Sequence, residues 1–99
     1  MARFDVYINP KQRGYLLDVQ SDLLSTINSR VVVPLLERHE APLPARRLNP
    51  VFRIGGEEYV MVTQFLASVP LAELGQAEGS LEVRQFEITE ALDMLFVGY

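Results

Sequence analysis

The sequence has no cysteine and no tryptophan, and its only histidine is His39. Without cysteine there is no disulfide, no thiolate nucleophile and no cysteine-ligated zinc. His39 falls in a polar loop and is interpreted as an exposed side chain, so the sequence predicts no metal ion. A Gly-rich phosphate loop and a G-x-S-x-G motif are also absent. These absences predict no cofactor, and they leave no catalytic motif in the sequence; a serine near His39 or two neighbouring carboxylates in the fold remain open.

Long apolar segments are absent as well. No stretch approaches the roughly 20 apolar residues of a membrane-spanning helix, and the first residues, MARFDVYINPKQRG, lack the continuous apolar run of a signal peptide. The sequence therefore predicts a cytoplasmic protein without a membrane partner.

Positive charge is also scarce. Nine lysines and arginines stand against 13 acidic residues, which gives a net charge of −4. Because a phosphate backbone is bound mainly through cationic side chains, direct nucleic-acid binding is disfavoured. The basic residues are nevertheless uneven along the chain, since Lys11 and Arg13 flank one turn and four more lie within ten positions. These four are Arg38, His39, Arg46 and Arg47.

Hydrophobic residues make up 48% of the 99 residues and charged residues 22%. This composition and length are typical of one compact domain, here 1–99, with apolar surface to spare for a partner.

The first two-thirds of the chain has the pattern of β-strands. RVVVPLL is nearly continuous in apolar residues, as in a strand buried on both faces, and Gly55-Gly56 is suited to a tight hairpin turn. The three prolines of 40–50 predict a surface loop. The predicted strands are 3–8, 15–20, 30–36, 51–54, 58–64 and a short piece at 66–69.

The remainder predicts an amphipathic helix over 81–96, with Ser80 as its N-cap and Gly98 as the glycine that ends it. Its apolar face is formed by Leu81, Ile88, Ala91, Leu92 and Leu95. A bent antiparallel sheet followed by one C-terminal helix is thus the expected architecture.

Two further segments stand out. In DVQSDLL, over 18–24, polar residues surround a turn directly before two exposed-looking leucines, although ordinary turn chemistry also accounts for them. The chain ends on LDMLFVGY, whose apolar residues suit either core packing, a dimer interface or an exposed contact surface.

Five blocks together resemble the CcdB family, the toxins of bacterial toxin–antitoxin modules that poison DNA gyrase. They are DVQSDLL, VVVPL, NPVFRIGGEEYVM, LASVP and ALDMLFVGY, and their order matches from Phe4 to Tyr99. The resemblance implies an SH3-like antiparallel barrel with a C-terminal helix, a homodimer without enzymatic activity, and a role of the kind that maintains plasmids.

The resemblance also implies a mechanism. The two C-terminal helices of the dimer enter the cleft between the gyrase A subunits and trap the complex in which DNA is cleaved. The implied contact residues are Leu23, Leu24, Asp93, Phe96, Val97, Gly98 and Tyr99. The chain departs from the family ending Phe-Trp-Gly-Ile, because Val97 replaces the tryptophan and Tyr99 the isoleucine; Asp93 stands where asparagine is usual.

A cognate CcdA-like antitoxin, with an acidic segment that folds on binding, is the second implied partner. Its expected docking surface is Lys11, Arg13, Arg38, His39, Arg46 and Arg47, which are otherwise interpreted as solvated loop charges. Two alternatives remain. One is a dimer that binds antitoxin but no longer poisons gyrase; the other is an endoribonuclease of the MazF/Kid branch, which would need an arginine where this chain has Ala67.

Overall fold

Residues 2–99 of the computed structural model form an antiparallel sheet of seven strands and a C-terminal α-helix. The strands are β1 (Asp5–Ile8), β2 (Tyr15–Asp18), β3 (Ser29–Glu37), β4 (Val51–Ile54), β5 (Glu57–Met61), β6 (Ala67–Pro70) and β7 (Gly79–Ser80), and the helix is α1 (Gln85–Phe96). No helix within these residues is long and apolar enough to cross a membrane.

The strand order is β4-β5-β3-β2-β1-β7, with β6 paired to the first part of β3. The two end strands of this order, β4 and β7, line one cavity of about 160 Å³ together with Val6 of β1. The sheet therefore curls until its ends approach, which makes a half-barrel. The predicted mainly β, SH3-like architecture with a C-terminal helix is confirmed.

The main core lies between the inner face of the curled sheet and α1. From the sheet it takes alternate residues such as Leu17 of β2 and Val33 of β3, and from the helix Ile88 and Ala91. A second cluster, on the opposite face of the sheet, consists of Tyr7, Leu16, Val32 and Leu74. The strands β2 and β3 are thus buried on both faces, as the apolar run in β3 predicts.

The turn between β4 and β5 is the expected Gly55-Gly56 hairpin. The two glycines have φ angles of +59° and +85°, which side chains disfavour. Positive φ at both central residues gives the turn twist that matches paired strands.

Pro34 lies inside the central strand β3, although proline lacks the N–H that a strand donates. Residues 29–32 pair with β6 and residues 35–37 pair with β5, so Pro34 falls at the gap between the two partners. Its carbonyl still accepts the Val62 N–H at 3.0 Å. The sheet tolerates the proline because no ladder bond is required of its nitrogen.

Three strand predictions need correction at their ends. The strand 3–8 begins only at Asp5, because Phe4 has a φ of +76° and is not extended. The strand 15–20 ends at Asp18, since Gln20 turns away. The strand 58–64 ends at Met61, where a 3-10 helix, Thr63–Phe65, follows. The buried Thr63 hydroxyl donates to the Leu48 carbonyl and holds this turn against the loop.

The helix prediction is correct at its C-terminal end and wrong at its start. The Leu81 N–H bonds to the Phe4 carbonyl at 2.9 Å, which ties Leu81 to the sheet. A 3-10 helix, Glu82–Arg84, follows before α1 begins. Ser80 consequently ends β7, a strand that the sequence does not predict, and is not a helix N-cap; its hydroxyl accepts the Glu82 N–H at 3.1 Å.

The segment 40–50 is a surface loop, as its prolines predict. Asn49 is buried beneath it, donating to the Met61 carbonyl at 3.0 Å and to the Gln64 side chain at 2.8 Å. Its own side-chain oxygen accepts the Ala45 N–H at 3.0 Å. One buried amide therefore fixes the loop to β5.

Candidate functional site

Two polar residues of DVQSD, Asp18 and Gln20, are buried, whereas Ser21 and Asp22 are exposed as in an ordinary surface turn. Asp18 is fully buried, and Arg30 of β3 reaches it with two hydrogen bonds of 2.8 and 2.9 Å. The hydrogen bonds to Asp18 raise the pKa of the Arg30 guanidinium. Breaking such a pair by removing one partner costs several kcal/mol, because the other charge is left buried and alone.

Tyr7 shares this buried region. Burial, followed by the negative charges of Asp5 and Asp18, raises its pKa to about 12. Its hydroxyl has no hydrogen-bond partner among residues 2–99. Tyr7 is therefore neutral at physiological pH and acts as a core side chain.

Gln20 connects two segments through its side chain. The amide oxygen accepts the Val31 N–H at 3.0 Å, while the amide nitrogen donates to the carbonyls of Leu24 and Ser29 at 3.4 and 3.2 Å. Gln20 thereby joins the start of β3 to the segment that carries the exposed leucines.

These leucines lie on a short 3-10 helix, Asp22–Leu24. The Ser21 hydroxyl caps it by accepting the Leu23 N–H at 3.2 Å. Leu23 is 92% exposed and Leu24 is half exposed. We call the segment Asp22–Leu24 the leucine tip. An apolar side chain exposed to this extent gains nothing from folding, which is typical of a contact surface.

The end of α1 presents the second apolar surface. Gly98 has a φ of +90° and its N–H returns to the Asp93 carbonyl at 3.0 Å, so it ends the helix as predicted. Beyond it Tyr99 is 78% exposed, and Phe96, Val97 and the Asp93 side chain are also exposed. Leu92 packs against the core, whereas Leu95 is only partly buried. We call Phe96–Tyr99 the helix tail.

The leucine tip and the helix tail come from separate elements. Within the protomer, α1 packs against the 3-10 helices Thr63–Phe65 and Glu82–Arg84. The contact residues implied by the resemblance therefore form two exposed sets, Leu23 with Leu24 and Asp93 with the helix tail.

The predicted basic surface is largely paired with the protein's own carboxylates. Arg13 and His39 both reach Glu37, at 2.9 and 3.6 Å. Other pairs join Arg38 to Glu58 at 3.3 Å and Arg47 to Glu90 at 3.6 Å. Among residues 2–99, the basic side chains of this set outside any ion pair are Lys11 and Arg46.

The remaining surface of the described residues includes an apolar groove beside Lys11. The groove, of about 200 Å³, has a floor of Leu16, Val32 and Pro34, with Lys11 and Glu73 among its lining residues. Across the described range 2–99, no three metal-ligating side chains are grouped.

Sequence reasoning missed two features of this surface. Arg30 and Asp18 are distant in sequence and were not paired; the only signal was an arginine opening an otherwise apolar strand. The second feature is that Val83 and Phe86, at the start of the helix region, are 91% and 85% exposed. Neither residue belongs to the predicted apolar face.

Comparison with known proteins adds two findings. The sequence model of the family described as CcdB protein matches residues 3–98. A solved structure described as an endoribonuclease in complex with its cognate antitoxin, from Mycobacterial species, is similar in fold. The TM-score is 0.77 at 16% identity, and the match covers 100% of this chain and 98% of the other. At that identity the likeness concerns the fold alone.

Proposed function

The chain belongs to the CcdB family, and from this premise we propose that it is the toxin of a bacterial toxin–antitoxin module. It acts in the cytoplasm by binding the DNA gyrase A subunits and trapping the complex in which DNA is cleaved. It does so by binding alone, without an enzymatic reaction of its own.

The observation that carries this proposal is the exposure of the helix tail. Phe96, the last residue of α1, is 68% exposed, and the other face of that helix packs against the core. Tyr99, three residues beyond the helix, is 78% exposed. Aromatic anchors on a rigid element bind well, because little conformational freedom is lost when they enter a pocket.

A homodimer would present this surface twice. Two-fold symmetry places the same patch on both protomers, so it can engage two gyrase A subunits related by their own two-fold axis. The leucine tip provides further apolar contact, with Leu23 and Leu24 exposed beside the polar Asp22.

Tyr99 is the residue that takes over the aromatic role in this chain. Val97 has no π-face, whereas the exposed ring of Tyr99 can stack on a guanidinium group. The family's tryptophan contact is thereby moved two residues along the tail.

A DNA cleavage assay with purified gyrase tests the proposal. The intact chain should accumulate linear, protein-linked DNA, and a chain lacking residues 97–99 should not. Tyr99→Ala should weaken the effect by roughly 30-fold, the loss typical of an aromatic anchor.

Phe86→Ala is the matched control, because it removes an equally exposed aromatic side chain from the other end of the helix. If the intact chain traps no cleaved DNA and cells expressing it grow normally, gyrase poisoning is wrong, and a dimer that only binds antitoxin is the better description.

The second partner is a cognate antitoxin with an acidic segment. Its proposed docking surface includes Lys11 and Arg46, which are free to pair with a partner's carboxylates. Arg13, Arg38, His39 and Arg47 would have to exchange an intramolecular carboxylate for one on the antitoxin, which lowers the gain from each contact.

RNA cleavage is the remaining alternative, favoured only by the fold shared with an endoribonuclease. In this chain Ala67, at the start of β6, supplies no cation to stabilise a phosphate intermediate. Incubation with single-stranded and structured RNA separates the two functions, since site-specific cleavage would replace the gyrase proposal.

A further inference from the structure

We propose that Gln20, Asp18 and Arg30 are positioning residues that hold the leucine tip in the conformation that binds gyrase. This inference rests on the proposed function, because it assigns these buried residues a role in presenting Leu23 and Leu24 to the partner.

The tip has little else to hold it. None of its three residues is buried, so apolar packing does not fix the backbone. A segment with little buried surface opens easily unless its hydrogen bonds reach a stable element. The Gln20 amide provides that connection, since it bonds to Leu24 at one end and to Val31 in β3 at the other.

The buried ion pair in turn fixes Gln20. Asp18 accepts the backbone N–H of Gln20 at 3.0 Å, and Arg30 donates to its backbone carbonyl at 3.2 Å. Both backbone polar groups of Gln20 are thus held by charged side chains that are almost completely buried.

A second connection holds the beginning of the tip. The Asp22 carboxylate accepts the Arg3 N–H at 2.8 Å and lies 3.9 Å from the Arg30 guanidinium. The tip is therefore connected to the Arg30 region at both ends, with the Leu23 side chain pointing into solvent.

This arrangement explains why a buried ion pair is present where apolar residues could pack. Replacing such a pair with apolar residues is often neutral or stabilising, so its role is better sought in conformational specificity. Apolar substitutes could fill the space but could not bond to the Gln20 backbone. A preorganised tip loses less freedom on binding.

Two variants test the inference. Gln20→Met removes the amide but keeps the approximate volume, and the double variant Asp18→Leu with Arg30→Met removes the ion pair without leaving one charge alone. Gln76→Met is the matched control, because Gln76 is exposed and takes part in none of these bonds. Amide hydrogen exchange is measured at Leu24 and Ser25, whose N–H groups bond within the tip. Binding to a gyrase A fragment is measured by calorimetry.

Exchange at Leu24 and Ser25 should accelerate on the order of tenfold in both variants, as expected for loss of one or two hydrogen bonds. Exchange in the part of β3 that pairs with β5, at 35–37, should stay unchanged, whereas the Val31 N–H loses its acceptor in Gln20→Met. Gyrase affinity should fall by a similar factor. Leu23→Ala should also lose affinity but leave exchange at Leu24 and Ser25 as it was, because it removes a contact rather than the support.

Wild-type exchange rates at the tip in both variants would overturn the inference, as would faster exchange with unchanged affinity. If Gln20→Met does not fold, the double variant decides. If the wild-type chain itself does not bind gyrase, the proposed function is wrong, and the exchange rates alone then support or overturn the positioning role.

Discussion

Among individual side chains, Arg30 is a charged group that folding removes almost completely from water. It is 1% exposed, and it makes three hydrogen bonds, two to Asp18 and one to the Gln20 carbonyl. A charge placed there needs these partners, because an unpaired buried ion costs several kcal/mol. The pair joins the end of β2 to the start of β3. Its net contribution to stability is small, but losing either partner is costly, and this cost keeps the two strands together.

Arg30→Met alone should lower the free energy of unfolding by about 3–5 kcal/mol, because Asp18 is left buried without a cation. Adding Asp18→Leu should recover part of this loss, because no charge is then left buried, although the Gln20 backbone groups still lack their partners. Urea unfolding of the wild-type, single and double variants measures both changes. A double variant no more stable than the single variant would contradict this account.

Gly14 is the glycine at which a side chain would fit least well. Its φ is +110°, and a Cβ placed on it would clash with the Leu35 carbonyl oxygen of the neighbouring strand. Gly14→Ala should therefore destabilise the fold by more than the roughly 1 kcal/mol of an ordinary glycine effect. Gly75→Ala is the control, since it has open space around it and no positive φ. Equal thermal stability of the two variants would show that the turn adapts to a side chain.

Among the elements, α1 is anchored at its first turn by Arg84. Its guanidinium lies 4.9 Å from the centre of the Phe52 ring and bonds to both carboxylate oxygens of Glu87, one of them at 2.8 Å. This clamp fixes the start of the helix on β4, while Ile88 and Ala91 bury the next turn. The direction in which the helix tail projects is set by these contacts.

The clamp should make stability depend on pH in a defined direction. The hydrogen bond from Arg84 lowers the pKa of Glu87 below its ordinary value of 4.5. Its stabilisation is therefore fully present above that value and is lost as the pH falls through the native pKa. Because Arg84 and Glu87 are both more than a third exposed, the contribution should stay below about 1 kcal/mol.

Glu87→Gln should thus be less stable than wild type near neutral pH, with the difference shrinking below about pH 4. Thermal unfolding across this range measures it. Glu57→Gln makes the same change of charge at an exposed residue of β5 outside the clamp and is the control. A difference that persists at low pH would mean that Glu87 acts through packing.

In the protein as a whole, most basic side chains form ion pairs with carboxylates of the same chain. Arg13, Arg38 and Arg47 pair with the chain's own acids, which agrees with the net charge of −4. Binding of an acidic antitoxin segment should accordingly depend most on Lys11 and Arg46.

Lys11→Ala and Arg46→Ala should each weaken antitoxin affinity by about 2- to 5-fold, as expected for exposed charge pairs, and added salt should weaken it further. Arg53→Ala is the control, since Arg53 is an exposed arginine that is not one of the predicted docking residues, although it shares the Glu58 carboxylate with Arg38. Calorimetric titration at two salt concentrations provides the measurement. Affinity independent of salt would move the docking site away from these residues, for example to the apolar groove beside Lys11.

Local physics made much of this fold predictable from the sequence. Gly55-Gly56 encodes the hairpin because glycine alone tolerates positive φ at both positions, and the spacing of Ile88, Ala91 and Leu92 encodes the helix face. The end of the helix follows the same logic, since Gly98 is its predicted terminating glycine, but the apolar residues of LDMLFVGY suit core packing as well as exposure, and only the fold left Phe96 and Tyr99 exposed. The hairpin, the helix face and the helix end depend only on residues that are close together in the chain, so the residue types at those positions are enough to predict them.

Contacts between distant residues were decided only by the folded chain. Asp18 and Arg30 look like turn and strand-end residues until β2 and β3 pair, and Leu81 left the predicted helix because the Phe4 carbonyl bonds to it. Burial is the physical reason. A polar group removed from water must find a partner wherever the fold provides one, and sequence spacing does not record which distant group that is.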